Sequence, residues 1–291
     1  MKVRYGKIQV DYLPSLDGGG STFGQDFVPV VRSIFRRVEN LCEFGAGPGF
    51  IGFSLLANNL CDRLTLVEIN PKAVKACLRT IRINDLADRV SVYESDGLKN
   101  VPATEKWDLV VANPPWHKCT RTDFEYMFAQ GKYEYALIRF DRDWNTHRQF
   151  YANVGRFLRR GGSVLFEENL SGSSPNLWRR MIEKSGLDYV RSFRYRSLAM
   201  SRKPRPNSKG PILPLAKAFL RYFSKDKLRR SFDLGYRESL PLLPRIAFDF
   251  KGLGRVVVDP GWQAVRYSGI APNSMYFVWS RLHQKAERLP K

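Results

Sequence analysis

Trp107-Asp108-Leu109-Val110-Val111-Ala112-Asn113-Pro114-Pro115-Trp116 is the stretch that decides the fold. Its first six residues form an apolar run that reads as a buried parallel strand. The run ends on an amide, two prolines and an indole. Two consecutive prolines cannot continue a sheet or freely start a helix, so the backbone there is stiff and turns outward. In an open α/β sheet, ligands sit at the carboxyl ends of strands. The fixed Pro114 carbonyl and the Asn113 side-chain oxygen make two acceptors, with the face of Trp116 beside them. Such a set suits a flat NH2 group, whose two N–H bonds are held while its attached plane is stacked. The plain alternative is a proline turn that caps a strand, with Trp116 in the core.

Upstream, Leu41-Cys42-Glu43-Phe44-Gly45-Ala46-Gly47-Pro48-Gly49-Phe50-Ile51-Gly52 is an independent signal. It reads as a strand, three glycines at alternate positions, and a helix from about Gly49 to Ala57. Backbone without Cβ atoms lets a ligand approach closely, and a helix N-terminus offers free N–H groups. Together with Asn113-Pro114-Pro115-Trp116, this motif resembles the class I S-adenosylmethionine-dependent methyltransferases. More narrowly, it resembles the small-domain type that methylates planar nitrogens, the adenine-N6 and glutamine-amide enzymes. The resemblance covers roughly residues 22–197.

Gly47-x-Gly49-x-x-Gly52 also fits the dinucleotide fingerprint, so on glycines alone NAD or FAD is a rival. Glu43 favours S-adenosylmethionine, because a carboxylate there would face a ligand ammonium and sit poorly beside a pyrophosphate. The next strand, Arg63 to Glu68, ends on an acid nineteen residues after Gly49. An acid at that distance suits ribose hydroxyls, or else caps the helix that starts near Pro71. A third strand, Val90 to Asp96, follows. The resemblance implies that Asp96 takes the adenine amino group. It also implies a Gly24-Gln25-Asp26 loop over the methionine end of the cofactor. The cofactor set is therefore Gln25, Glu43, Gly45, Gly47, Gly49, Glu68, Ile69, Asp96, Gly97 and Asn113. The catalytic set is Asn113, Pro114, Pro115 and Trp116.

The expected fold class is α/β and Rossmann-like: a mostly parallel seven-stranded sheet with helices on both faces and a final antiparallel strand. Four units are expected. Residues 1–40 lead in, with apolar positions Val30, Val31, Ile34, Phe35 and Val38 at helical spacing. Residues 41–197 form the cofactor-binding catalytic domain. Within it, 117–150 is expected to begin as a loop over the site and to become a helix from about Asp143. A fifth strand at Gly161–Glu168, a helix at Pro175–Lys184 and a sixth strand at Leu187–Tyr195 complete that unit. Residues 198–274 form a basic insertion or substrate-recognition lobe, with a proline-rich linker at 201–211 and an amphipathic helix from Ile212. Residues 275–291 hold the last strand, Met275–Ser280, and a tail.

The 291 residues carry a net charge of +20, split unevenly as +2 in residues 1–120 and +18 in 121–291. The second half therefore points to a polyanionic partner, with RNA in the lead, or else to a merely solvated basic surface. Phe124, Tyr126, Phe128, Tyr133 and Tyr135, interleaved with Lys132 and Arg139, suit base stacking and phosphate contact equally with an ordinary lid. Cys42, Cys61, Cys77 and Cys119 show no metal spacing, and no run is long enough for a transmembrane helix. The N-terminal residues lack a secretory signal, so a reducing, cytoplasmic compartment is expected. His117, His147 and His283 form no metal or triad pattern. The resemblance thus implies N-methyl transfer to a planar nitrogen: adenine N6 of RNA or DNA, or alternatively a protein glutamine or a small molecule.

Overall fold

The computed structural model describes residues 1–18, 20–169, 173–193, 246–250, 254–258 and 275–283. In chain order the strands are β1 (Lys2–Tyr5), β2 (Ile8–Asp11), β3 (Val38–Phe44), β4 (Cys61–Glu68), β5 (Val90–Glu94), β6 (Trp107–Ala112), β7 (His117–Cys119), β8 (Phe140–Arg142), β9 (Leu158–Asn169), β10 (Leu187–Phe193), β11 (Ile246–Phe250), β12 (Gly254–Val258) and β13 (Met275–Leu282). The α-helices are α1 (Gly20–Phe23), α2 (Phe27–Ile34), α3 (Phe50–Ala57), α4 (Pro71–Ile83), α5 (Arg121–Ala129), α6 (Tyr133–Arg139), α7 (Asn145–Val154) and α8 (Pro175–Lys184).

Seven strands form the central sheet in the order β10-β13-β9-β6-β3-β4-β5. The β9, β6, β3, β4 and β5 strands pair in parallel, while β13 runs antiparallel between β9 and β10. β13 arrives where the sequence places the last strand, two residues longer than expected. The central strands are apolar on both sides because helices cover both faces. One core layer joins Phe27, Phe53 and Leu55 to Leu41, Leu66 and Val111, beneath the α2, α3 and α4 helices. The other joins Phe44, Trp107 and Phe166 to Phe150, Phe157 and Trp178, beneath α7 and α8. Asn70 caps α4 by accepting from the Lys72 N–H at 3.0 Å, and Pro71 fills the first helical position, where no N–H is needed.

Three local expectations are corrected. Val38 does not extend the α2 helix; the helix ends at Ile34, Arg36 turns left-handed at φ 60°, and Val38 opens β3. Residues 121–139 are two helices rather than a loop. Thr120 and Asp123 form a reciprocal capping box that starts α5, yet no α5 residue is buried, so the helix leaves no apolar period in the sequence. The next helix begins at Asn145 rather than Asp143, because Asp143 and Trp144 both hold positive φ, 52° and 59°. An N-terminal hairpin, β1–β2, is an addition. It docks by hydrogen bonds from the Gln9 N–H to Asn84 Oδ1 and from the Asp11 N–H to Thr80 Oγ1, both 2.9 Å.

In the expected lobe, β11 and β12 pair as an antiparallel hairpin. The linker at 201–211 and the helix from Ile212 lie outside the described residues, as do the last two residues of the expected sixth strand. Among the described residues no helix is long and apolar enough to cross a membrane. All four cysteines are free and buried.

Candidate active site

The carboxyl ends of β3, β4, β5 and β6 open into a cavity of about 410 Å³. Of the residues singled out from the sequence, Glu43, Gly45, Gly47, Glu68, Ile69, Asp96, Gly97, Asn113, Pro114, Pro115 and Trp116 line it. Gln25 and Gly49 are not among its lining residues. Gln25 is exposed on a short 3₁₀ turn, and its neighbour Gly24 takes the place on the wall. Gly49 serves packing instead. A Cβ there would meet the Phe53 ring at 2.7 Å and Leu66 at 3.1 Å, so the glycine lets α3 lie close on the sheet.

Gly45 and Gly47 share its positive φ, 63° and 52° beside 82° at Gly49, but a Cβ on either would meet nothing within 4 Å. They leave bare backbone and open space at the cavity wall, where a side chain would fill a ligand's volume.

The two buried acids hold this loop in shape. Glu43 accepts from the Gly52 N–H at 2.6 Å and the Ile51 N–H at 3.2 Å, capping the start of α3 from below. Burial pushes its pKa up to about 8, against the lowering effect of those two N–H groups. Glu68 accepts from the Gly47 N–H at 2.6 Å, the Ile69 N–H at 2.9 Å and the Asn70 N–H at 2.8 Å. A carboxylate has about four acceptor sites, so roughly one remains for a ligand unless a loop N–H is released. Asp96 differs from both. It is exposed at the rim, two residues beyond the end of β5, and is paired with Lys99.

On the β6 side, Asn113 Oδ1 accepts from the Trp116 indole N–H at 2.7 Å. The tetrad is therefore tied to itself: the tryptophan fixes the amide rotamer, and the amide oxygen keeps a second lone pair. Trp116 also meets Phe23 edge-on at 6.4 Å. Phe124, Phe128 and Tyr133 from α5 and α6 line the cavity, with Phe128 against Tyr133 edge-on at 4.5 Å. Sequence reasoning missed two stretches of wall. One is Leu16, Asp17 and Gly18, whose signal was the following glycine run. The other is Arg142, Asn145 and Thr146, which flank the left-handed corner. Among the described residues no group of three or more potential ligands could hold a metal ion.

A parallel sheet with one antiparallel strand, a glycine loop after β3, acids at the ends of β4 and β5 and an Asn-Pro-Pro-aromatic turn after β6 accompany the class I methyltransferase fold. Residues 27–132 match the family model of the methyltransferase small domain. Relatives include a release factor glutamine methyltransferase of Fusobacterium nucleatum, 26% identical over 46% of this chain and 38% of its own length. A ribosomal RNA small subunit methyltransferase C of Hahella chejuensis is 29% identical over 45% of this chain and 31% of its own length. A tRNA1(Val) (adenine(37)-N6)-methyltransferase of Actinobacillus pleuropneumoniae is 26% identical over 45% of this chain and 52% of its own length. The chain thus spans about a third to a half of the length of these relatives.

S-adenosylmethionine is the cofactor these residues fit. The cavity offers bare glycine backbone, carboxylates at three strand ends and an exposed apolar Ile69 between two of them.

Proposed function

We propose that this chain is an S-adenosylmethionine-dependent N-methyltransferase whose acceptor is a planar, sp2-attached nitrogen, adenine N6 of RNA. The observation that carries the reading is the self-tied Asn113-Pro114-Pro115-Trp116 turn on the cavity wall, next to the glycine–acid loop. When bound, the cofactor supplies an electrophilic methyl on a sulfonium. The Glu43, Glu68 and Asp96 carboxylates, with the backbone of Gly45, Gly47 and Gly97, would hold it, and Ile69 would pack on its flat base.

An exocyclic amine is a poor nucleophile because its lone pair is delocalised into the ring. The free lone pair of Asn113 Oδ1 and the Pro114 carbonyl would accept the two N–H bonds and favour the pyramidal, nucleophilic form. They would also stabilise the positive charge that grows on nitrogen in the transition state. Holding the nitrogen in line with the methyl supplies a further part of the rate. No strong base is required. Trp116, with Phe124, Phe128 and Tyr133, would stack the target plane.

RNA is supported by the +18 charge of residues 121–291 and by the relatives named for rRNA and tRNA. The basic residues 198–274 are proposed as its recognition lobe. An adenine within a duplex could not reach Asn113, so the target must be single-stranded or flipped. The alternative acceptor is a protein glutamine, supported by the release-factor relative. The test is transfer of labelled methyl into cell RNA, DNA, protein and metabolites, followed by binding at varied salt. Label in RNA, with affinity falling about 0.7–0.9 log units per log unit of salt for each phosphate contacted, is expected. Label in protein with a flat salt response would replace RNA with the glutamine acceptor.

A further inference from the structure

His147 was set aside in the sequence as part of no pattern, and methyl transfer needs no base. Yet the folded chain buries its ring completely between two carboxylates. Nδ1 lies 2.6 Å from Asp141 Oδ2 and Nε2 lies 2.9 Å from Glu168 Oε1. The ring stacks on Trp178 at 4.3 Å and 17°. Trp178 donates to the Tyr276 hydroxyl at 2.8 Å. The Asp141 carboxylate also accepts from the Thr146 N–H at 2.9 Å and the His147 N–H at 3.1 Å, so it caps α7 from the preceding strand β8.

This assembly surrounds the left-handed pair Asp143–Trp144. Trp144 is buried, edge-on to His147 at 5.5 Å and to Trp178 at 4.9 Å. The neighbours of this corner, Phe140, Arg142, Asn145 and Thr146, line the cavity. Glu168 stands on β9, the strand beside β6, so this wall lies over the Asn113 end of the sheet rather than over β4 and β5. A backbone that costs energy persists only when its surroundings over-determine it.

We propose that His147 is a positioning residue: bridging Asp141 and Glu168, it locks the Asp143–Trp144 corner and so fixes the acceptor-side wall of the cavity. The proposal rests on the methyl-transfer reading for the word acceptor, but not for the geometry. With an ionised carboxylate on each side the ring would hold both protons and act as a strut, not as a base; burial raises the pKa of Glu168 itself, and its contact with His147 lowers it. Burial alone would lower the His147 pKa, but Glu168 and Asp141 raise it to about 9. Tyr276 on β13 and Tyr151 on α7 face Glu168, with Tyr189 on β10 beside them, and Cys119 on β7 faces Asp141. Tyr151 and Tyr276 are held neutral by burial. The sign follows: a raised histidine pKa gives a clamp that is fully present below about pH 6.5 and is lost as pH rises through about 9.

Two measurements test this on the whole chain. Nitrogen-15 NMR of the His147 ring needs no substrate. Two protonated ring nitrogens at pH 7.5, titrating near 9, are expected; a neutral ring at pH 7.5 overturns the clamp whatever the chemistry proves to be. His147→Gln, which keeps two polar ends but no charge, should lower kcat/KM for the methyl acceptor at least tenfold. Cofactor Kd should stay within twofold, and the alkaline limb near pH 9 should disappear. Unchanged acceptor kinetics, or equal losses in cofactor and acceptor affinity, would overturn the positioning role. If His147→Gln does not fold, the NMR titration alone decides. If no planar nitrogen is ever labelled, the function fails while the ring spectrum still stands as the test of the clamp.

Discussion

The two sides of the cavity are built in opposite ways. The glycine–acid side is held through backbone: Glu43 is engaged by N–H groups in the first turn of α3, and Glu68 by the Ile69 and Asn70 N–H groups that follow its own strand and by the Gly47 N–H of the loop after β3. The acceptor side is held through side chains: its wall follows two helices, of which α5 has no buried face, and is anchored by the His147 ring to the Glu168 carboxylate on another strand. The first side is set by backbone that these two acids hold, so its shape survives changes at most other side chains. The second depends on one buried charge cluster and a corner of two left-handed residues, each of which costs on the order of 1–3 kcal/mol. Recognition of a common cofactor suits a fixed backbone site, whereas an acceptor can be changed by altering the wall without touching the loop.

The largest expected effect lies where the two sides meet. Asn113→Ala removes one acceptor from the target nitrogen and the partner of the Trp116 indole. Loss of one preorganised transition-state hydrogen bond costs roughly 10²–10³ in kcat, and that range is expected here. Cofactor Kd, measured by calorimetry, should change by no more than a few-fold, and turnover near that of the natural chain would remove the planar-amine mechanism.

Glu68→Ala should produce the reverse pattern. A hydrogen bond to a charged group contributes about 1.5–3 kcal/mol, so S-adenosylmethionine affinity should fall by about one to two decades. The same substitution frees the Gly47, Ile69 and Asn70 N–H groups, so part of the loss reflects a loosened loop. Unaltered affinity in a folded variant would refute the ribose assignment.

A smaller effect sharpens the contrast from the cofactor side. Glu43, with its pKa raised to about 8, is largely protonated at pH 7 when no cation is near. An incoming ammonium favours the carboxylate, so cofactor binding at pH 7 should release up to about one proton. Calorimetry in buffers of different ionisation enthalpy reads this directly. Binding with no proton release at pH 7, but with normal affinity, would place the ammonium away from Glu43.

This contrast also explains what the sequence revealed. Strand β6 and helix α8 stand at their expected bounds, because a buried strand and an amphipathic helix starting at a proline both write their period into neighbouring residues. The acids and glycines of the first side were legible because each sits within a few residues of a strand end. Gly49 was assigned to a ligand, but its Cβ position is filled by Phe53 and Leu66, a contact no local motif encodes. The α5 helix was invisible because Phe124 and Phe128 line a cavity rather than a core and Tyr126 is exposed. The Asp141–His147–Glu168 arrangement was invisible because its members come from β8, α7 and β9, brought together only by the fold.

The central claim is methyl transfer to a planar nitrogen at Asn113. The most direct measurement is incubation of single-stranded adenine-containing RNA with S-adenosylmethionine carrying a deuterated methyl, followed by mass spectrometry of the nucleosides. The account predicts the heavy methyl on adenine N6, and its loss with Asn113→Ala. Heavy methyl on a ribose oxygen or a ring carbon, or equal labelling by the Asn113→Ala variant, would contradict it.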